Sequence, residues 1–489
     1  MSELLGANTD VLDRVAESLG TDARRVQDIR TLAARAVAEL QAGWSGPDLL
    51  HLTQQWEEQV WPQLGRASAS LDTCAARLQA QSAAQRGTSG EDGGGAGLFL
   101  TAMAPPASPP RNGSPAGNAT WWRSLSPTQQ QQLVTEHPDW IGNRDGVSFT
   151  ARDQANRALL TVDRGRLVAE RQRLEADLAD SWFGGAFTND DAALDQVRDK
   201  LASLDAIEQT LARPGERQLL LLDLGPERAE AAIARGNVET AENVAVLVPG
   251  LAANVTESMR GHDVQMDQLQ HRAEMESKRV NPTQKPATAT VTWIGYQAPQ
   301  LGWDLLSPES TVASDTLARR GAVQLTPFLQ GIGAARDHDA HLTVLGYSYG
   351  STTAGLALQQ NTGVDDAVFF GSPGLGTNHV EDLKLADGHA YCIEARWDGV
   401  GDLGAFGMDP SHMDGVGHAS ARESTVVDAV TGETRHFSEV MGHLSYLDDD
   451  STSQYNMSVV VAGVPDRQVQ DDGEGVGDVL SWPVPGTYR

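Results

Sequence analysis

With 37 Lys plus Arg against 66 Asp plus Glu, the 489-residue chain carries a formal net charge of -29, and so anionic a surface repels nucleic-acid phosphates and anionic lipid alike. This argues against nucleic acid as the main partner. The 2 cysteines, Cys74 and Cys392, are too far apart for a disulfide framework or a zinc spacing, and neither a metal nor a cofactor is expected.

Met1-Ser2-Glu3-Leu4-Leu5 lacks the basic start and long apolar run of a signal peptide, so Sec-type export is not expected. The longest apolar runs, such as Val244-Ala245-Val246-Leu247-Val248, fall far short of the roughly 20 residues a membrane span needs. Residues 1–85 read as two amphipathic helices: Leu12, Val15, Leu19, Val26, Ile29 and Val37 recur at steps of three and four, as do Leu49, Leu52, Trp56, Val60 and Leu64. Gly43-Trp44-Ser45-Gly46-Pro47 separates the runs, with glycines for the reversal and Pro47 at the start of the second helix. The pair resembles the small Trp-x-Gly helical hairpins exported by type VII (ESX-like) secretion systems, Trp44-Ser45-Gly46 matching the signature turn. That resemblance implies a homo- or heterodimeric four-helix bundle and a role as secretion substrate or targeting module. Pro62 should kink the second helix, and no clear Tyr-x-x-x-Asp/Glu element succeeds it. An ordinary dimerising hairpin stands as the alternative, and with it a cytoplasmic location beside a type VII-exported one.

Residues 86–118 turn to Gly, Ser and Pro and read as a flexible linker around an apolar island, Leu98-Phe99-Leu100. From 119 to 215 the pattern is helical, with Leu167, Leu174 and Leu178 on one helix and Leu194, Val197, Leu201, Leu204, Ile207 and Leu211 on another, able to pack on or cap the next domain. Residues 216–465 then alternate strands and helical stretches. Leu219–Asp223, Ala231–Arg235 and Val244–Val248 come close together, as an antiparallel start would; Thr290–Ile294, Leu342–Leu345, Ala367–Phe370 and Tyr391–Ala395 are spaced for crossover helices. The expected fold class is α/β, a mostly parallel sheet with helices on both faces, with an acidic polar tail over 466–489.

Within that domain, Leu342–Leu345 runs into Gly346-Tyr347-Ser348-Tyr349-Gly350 and then a small apolar helical stretch. Strand, Gly-x-Ser-x-Gly and helix in this order make a nucleophile elbow, in which a serine stands exposed on a sharp turn and side chains at the two glycine positions would collide with the neighbouring strand and helix. An elbow serine needs an acid and then a histidine later in the chain. His443 precedes the last helical stretch, Tyr455–Val461, and is preferred over His436 and His418; Asp398, just past the strand Tyr391–Ala395, is preferred over Asp402, Asp409 and Asp414. The oxyanion hole would use the backbone N–H groups of Tyr349 and of Leu251 in the Val248-Pro249-Gly250-Leu251 loop.

Residues from about 121 to about 463 resemble an actinobacterial α/β-hydrolase domain family of unknown function. The resemblance rests on Ile141-Gly142-Asn143-Arg144-Asp145-Gly146, Arg152-Asp153-Gln154-Ala155-Asn156-Arg157, Val246–Gly250, Trp293-Ile294-Gly295-Tyr296-Gln297-Ala298-Pro299, the elbow, Gly371-Ser372-Pro373-Gly374, Asp398-Gly399-Val400 and His443-Leu444-Ser445-Tyr446. It implies an α/β-hydrolase fold with Ser348, Asp398 and His443 as a triad, and departs at Gly399, where proline is expected. Two functional readings are open. One is a serine hydrolase acting on a small acyl ester or thioester through an acyl-enzyme; the other is a non-catalytic module in which the hairpin does the pairing or export.

Overall fold

The computed structural model describes residues 108–471, apart from 181–188, 226–227, 281, 284–286, 301–313, 401–405 and 429–430, together with Arg24, Thr31 and Ala34. The hairpin with its Trp44 turn, the island at Leu98 and the tail beyond 471 lie outside these residues. The chain divides into two compact units, Met1–Met103 and Ala104–Arg489, and the sheet belongs to the second.

Three helices open the described chain, each on an X-Pro step: α1 (Pro115–Ser124), α2 (Pro127–Glu136) and α3 (Pro138–Ile141). Proline suits a first helical position, where its missing N–H would be unpaired anyway. Ser114 caps α1, and Ser126 with Gln129 forms a full capping box on α2. Helix α1 thus begins inside the stretch that composition assigns to the linker.

Two long helices come next, α4 (Phe149–Asp180) and α5 (Asn189–Leu211). Leu160, Leu167 and Leu174 of α4 bury against Leu194, Val197, Leu201 and Leu204 of α5 and the first strands, β1 (Arg217–Asp223) and β2 (Glu230–Arg235). The remaining elements are β3 (Asn243–Val248), α6 (Val255–Val280), β4 (Thr288–Ile294), α7 (Thr316–Ala335), β5 (His341–Tyr347), α8 (Tyr349–Leu358), β6 (Asp366–Phe370), β7 (Ala390–Ile393), β8 (Gly417–Ala419), the hairpin β9 (Ser424–Val427) and β10 (Thr434–Phe437), and α9 (Thr452–Val461).

Strands β1 to β8 form one sheet in the order β1-β2-β4-β3-β5-β6-β7-β8. Only β2 runs against its neighbours; every pairing from β4 to β8 is parallel. The expected antiparallel start holds for β1 and β2 but not for β3, which belongs to the parallel set, between β4 and β5. Alternate residues of the central strands feed two cores. Val244, Val246, Val344 and Phe369 pack with Leu325, Phe328 and Ile332 of α7, whereas Ala245, Leu247, Leu345 and Phe370 pack with Met266 and Leu269 of α6 and Met457 and Val460 of α9. Both faces are covered, as a parallel sheet requires.

Strand β1 is an edge, and polar side chains close it. Asn143 donates to Leu222 O at 2.8 Å and accepts from Leu222 N–H at 3.0 Å, and Asp153 accepts from Leu219 N–H at 2.7 Å. Arg152 donates to Leu220 O at 2.6 Å, Asn156 to Leu219 O at 3.0 Å and Arg157 to Arg217 O at 2.8 Å. Unpaired strand groups are a pairing hazard. The Asn143 and Arg152–Arg157 segments, conspicuous in the sequence, therefore have a structural task here.

Candidate active site

At the carboxyl end of β5 the backbone turns sharply: Ser348 has φ 53 and ψ -132, and α8 starts at the next residue. A left-handed φ at a non-glycine residue is strained and persists only where the surroundings hold it. Ser348 N–H donates to Phe370 O at 3.1 Å, tying the turn to the end of β6. Both glycines are demanded by contact. A Cβ on Gly346 would meet Ser351 Cα at 2.8 Å, and one on Gly350 would meet Val248 O at 2.1 Å.

The loop before α9 brings His443 over the serine. Its Nε2 lies 2.8 Å from Ser348 Oγ, and its Nδ1 lies 2.9 Å from both Oδ1 and Oδ2 of Asp398. With the Nδ1 proton held by the carboxylate, Nε2 offers a lone pair to the serine hydroxyl. The loop is fixed by Gly442 N–H donating to Arg396 O at 2.7 Å and by Tyr347 OH donating to His443 O at 2.6 Å. The Tyr347 ring also stacks on the imidazole, with centroids 5.2 Å apart.

Asp398 is buried just beyond β7. Burial alone would raise its carboxyl; hydrogen bonds from His443 and Tyr446, the charge of His443 and the Val400 N–H outweigh this and hold it below the ordinary aspartate value. Tyr446 OH donates to Oδ2 at 2.6 Å and accepts from Ala395 N–H at 2.8 Å. Burial and the facing carboxylate push the Tyr446 hydroxyl far above a normal phenol, so it stays a donor. Gly371, at φ 54, leaves the necessary room: a Cβ there would fall 2.8 Å from Asp398 Oδ2 and 3.0 Å from His443 Nδ1.

On the β3 side, a Cβ on Gly250 would lie 2.7 Å from both Ser348 Cβ and Tyr349 N, so the loop abuts the elbow with no space to spare. Tyr296 OH donates to Pro249 O at 2.7 Å, Ala252 N–H to Pro299 O at 2.7 Å and Gln300 Nε2 to Ala253 O at 3.1 Å. The Trp293–Pro299 segment thus holds the loop that carries Leu251. Tyr349 N–H, at the first position of α8, has no intrahelical acceptor. Between His443 and Gly250 the serine keeps only 5% of its surface, more covered than an exposed elbow implies.

A family profile described as alpha/beta hydrolase matches residues 225–408, which include Ser348 and Asp398 but stop short of His443. An uncharacterized protein of Mycobacterium tuberculosis is 34% identical over 243 residues, covering 48% of this chain and 88% of that protein. The chain belongs to the alpha/beta hydrolase family. A second uncharacterized M. tuberculosis protein is 33% identical over 306 residues, covering 60% of this chain, and the match spans only 45% of that longer relative. Among solved structures, a hyperthermophilic esterase from Pyrobaculum calidifontis aligns at a TM-score of 0.30 and 12% identity, covering 60% of this chain and 96% of the esterase. A fungal esterase from Rhizomucor miehei aligns at a TM-score of 0.29 and 14% identity, covering 60% and 96%.

In this alpha/beta hydrolase the candidate histidine that meets the serine hydroxyl is His443. His418 is on β8, and His436 on β10 faces Thr425 Oγ1 at 2.9 Å. Asp409 caps a short turn through Ser411 N–H at 2.9 Å. Asp402 lies outside the described residues. Tyr446, Tyr347, Tyr296 and Gly371 drew no role from the sequence. Each stood in or beside a segment carrying the family resemblance, which was the available signal.

Proposed function

We propose that the protein is a serine hydrolase that cleaves an ester or thioester through an acyl-enzyme, with Ser348 as nucleophile, His443 as general base and then acid, and Asp398 as the group that orients the imidazole. The observation carrying this reading is the unbroken hydrogen-bonded line from Ser348 Oγ through His443 to Asp398, at 2.8 and 2.9 Å. Ser348 Oγ attacks the carbonyl carbon as its proton passes to Nε2. The tetrahedral oxyanion would sit against the N–H groups of Tyr349 and Leu251, and its collapse expels the alcohol or thiol, which takes the proton from His443. Water then adds to the acyl carbon, giving a proton to Nε2, and the acid leaves as Ser348 regains its hydrogen.

The reading further takes residues 216–465 as the hydrolase domain, with the helical region of 119–215 packing on or capping it and the hairpin of residues 1–85 as a separate pairing or export module. The test is labelling by a fluorophosphonate probe. The native chain should be labelled, and Ser348→Ala should abolish the label. Labelling that survives the substitution would move the nucleophile elsewhere. A native protein that takes no label would instead be a non-catalytic module on a hydrolase fold.

A further inference from the structure

The loops that converge on Ser348 expose large apolar side chains. Trp397, one residue before Asp398, is 63% exposed; Met441 and Leu444, either side of His443, are 59% and 81% exposed; Leu251, following the glycine that abuts the serine, is 38% exposed. The Trp397 and Met441 segments lie side by side through the Arg396–Met441 bridge.

Trp397 carries the strongest sign that this exposure has a use. Asp398 N–H donates to Ala395 O at 3.2 Å, closing a four-residue turn whose third residue, Trp397, has φ 65. That position of a type II turn favours glycine, and a bulky residue at positive φ is an outlier. The chain therefore holds an indole in water by a backbone conformation that glycine would take with less strain. Ala252, in the Leu251 loop, and Ser348 itself share the left-handed backbone, at φ 63 and 53. Strain of this kind gathers where a ligand is handled.

We infer that Trp397, Met441, Leu444 and Leu251 form an apolar collar that takes the hydrocarbon of a long-chain acyl ester while its carbonyl sits at Ser348. The inference rests on the serine-hydrolase reading and names its substrate class. The occupant is the substrate's own chain, because every collar residue lies within two positions of a group that contacts Ser348 or His443. An anionic lipid surface is disfavoured by the net charge of -29.

The test compares kcat/KM on p-nitrophenyl dodecanoate and p-nitrophenyl butyrate, using the full chain. Each methylene withdrawn from water is worth about fourfold, so contact with only two of them exceeds about tenfold. The native protein should favour dodecanoate by at least about tenfold. Trp397→Gly should cut that ratio by about tenfold without lowering Tm, since glycine relieves the turn, and Leu444→Ser should cut it through a second loop. Val162→Ser, an equally exposed apolar site on α4, should leave the ratio unchanged. A native preference for butyrate, or a ratio untouched by both collar variants while butyrate is still cleaved, overturns the collar and leaves the hydrolase reading intact. Failure to cleave either ester, with no fluorophosphonate labelling, overturns both.

Discussion

Two histidine–aspartate clusters sit at opposite ends of the same parallel strands. Beyond the carboxyl ends of β5 and β7, Asp398 holds His443 against Ser348. At the amino ends, His341 opens β5, Asp366 opens β6 and His389 immediately precedes β7. There His341 Nε2 and His389 Nδ1 lie 3.1 and 2.8 Å from the buried Asp366 carboxylate. A buried carboxylate facing imidazoles is thus common to both. The difference lies in the hydroxyl. Ser348 stands on a strained turn at a helix start, whereas Thr343, 3.5 Å from His341 Nε2, stands within β5 in regular register with Asp366. The strands supply aligned backbones at both ends, but of these two hydroxyls it is that of Ser348 that stands at the N-terminus of a helix, where negative charge is stabilised.

The contrast can be broken by swapping one carboxyl for an amide at each end. Asp398→Asn should lower kcat/KM on any ester that the native protein cleaves by about ten-thousandfold, or roughly 5 kcal/mol of transition-state stabilisation, because the amide no longer selects the productive tautomer. Its urea unfolding midpoint should fall as well, since the carboxylate accepts buried hydrogen bonds from Tyr446 and the Val400 N–H, so turnover is counted per folded molecule. Asp366→Asn should cost stability alone, about 1–3 kcal/mol through the buried hydrogen bonds it weakens. Turnover per folded molecule should stay at the native level. If Asp366→Asn instead lost turnover as Asp398→Asn does, the two ends would be one functional system.

The carboxyl-end cluster was legible because its chemistry forces local rules onto the sequence. Gly346 and Gly350 bracket the serine because Ser351, Val248 and Pro249 leave no room for a Cβ. The chain order of acid and histidine then leaves a few candidate residues downstream of the serine. Tyr446 obeys no such rule: the hydroxyl that reaches Asp398 comes from a loop 48 positions away, and nothing short of the fold places it there. The closeness of β1, β2 and β3 along the chain suggests an antiparallel start that β3 does not join. Its six residues are all buried, the mark of a two-sided parallel strand, and that run was the better guide. At Pro115 the Gly, Ser and Pro content of the tract outweighed the Ser-Pro step that caps α1. The polar Arg152–Arg157 segment carries the family resemblance without naming its partners, which are the edge of β1.

The smallest expected effect concerns protons at the amino end. Burial lowers the pKa of His341, but the Asp366 hydrogen bond and charge, the Val460 carbonyl and Asp365 more than offset this and leave it raised. A histidine whose folded pKa is raised binds its proton more tightly in the native state. Its contribution to stability is complete below the unfolded value of about 6.5 and disappears as pH climbs through the raised value. Removing the group with His341→Gln should therefore lower the urea midpoint most at mildly acid pH, and the gap to the native protein should narrow as the buffer is taken through neutrality to mildly alkaline pH. A gap that widened with rising pH would mean that the Asp366 cluster keeps His341 neutral, against the direction that its hydrogen bonds and neighbouring charges give.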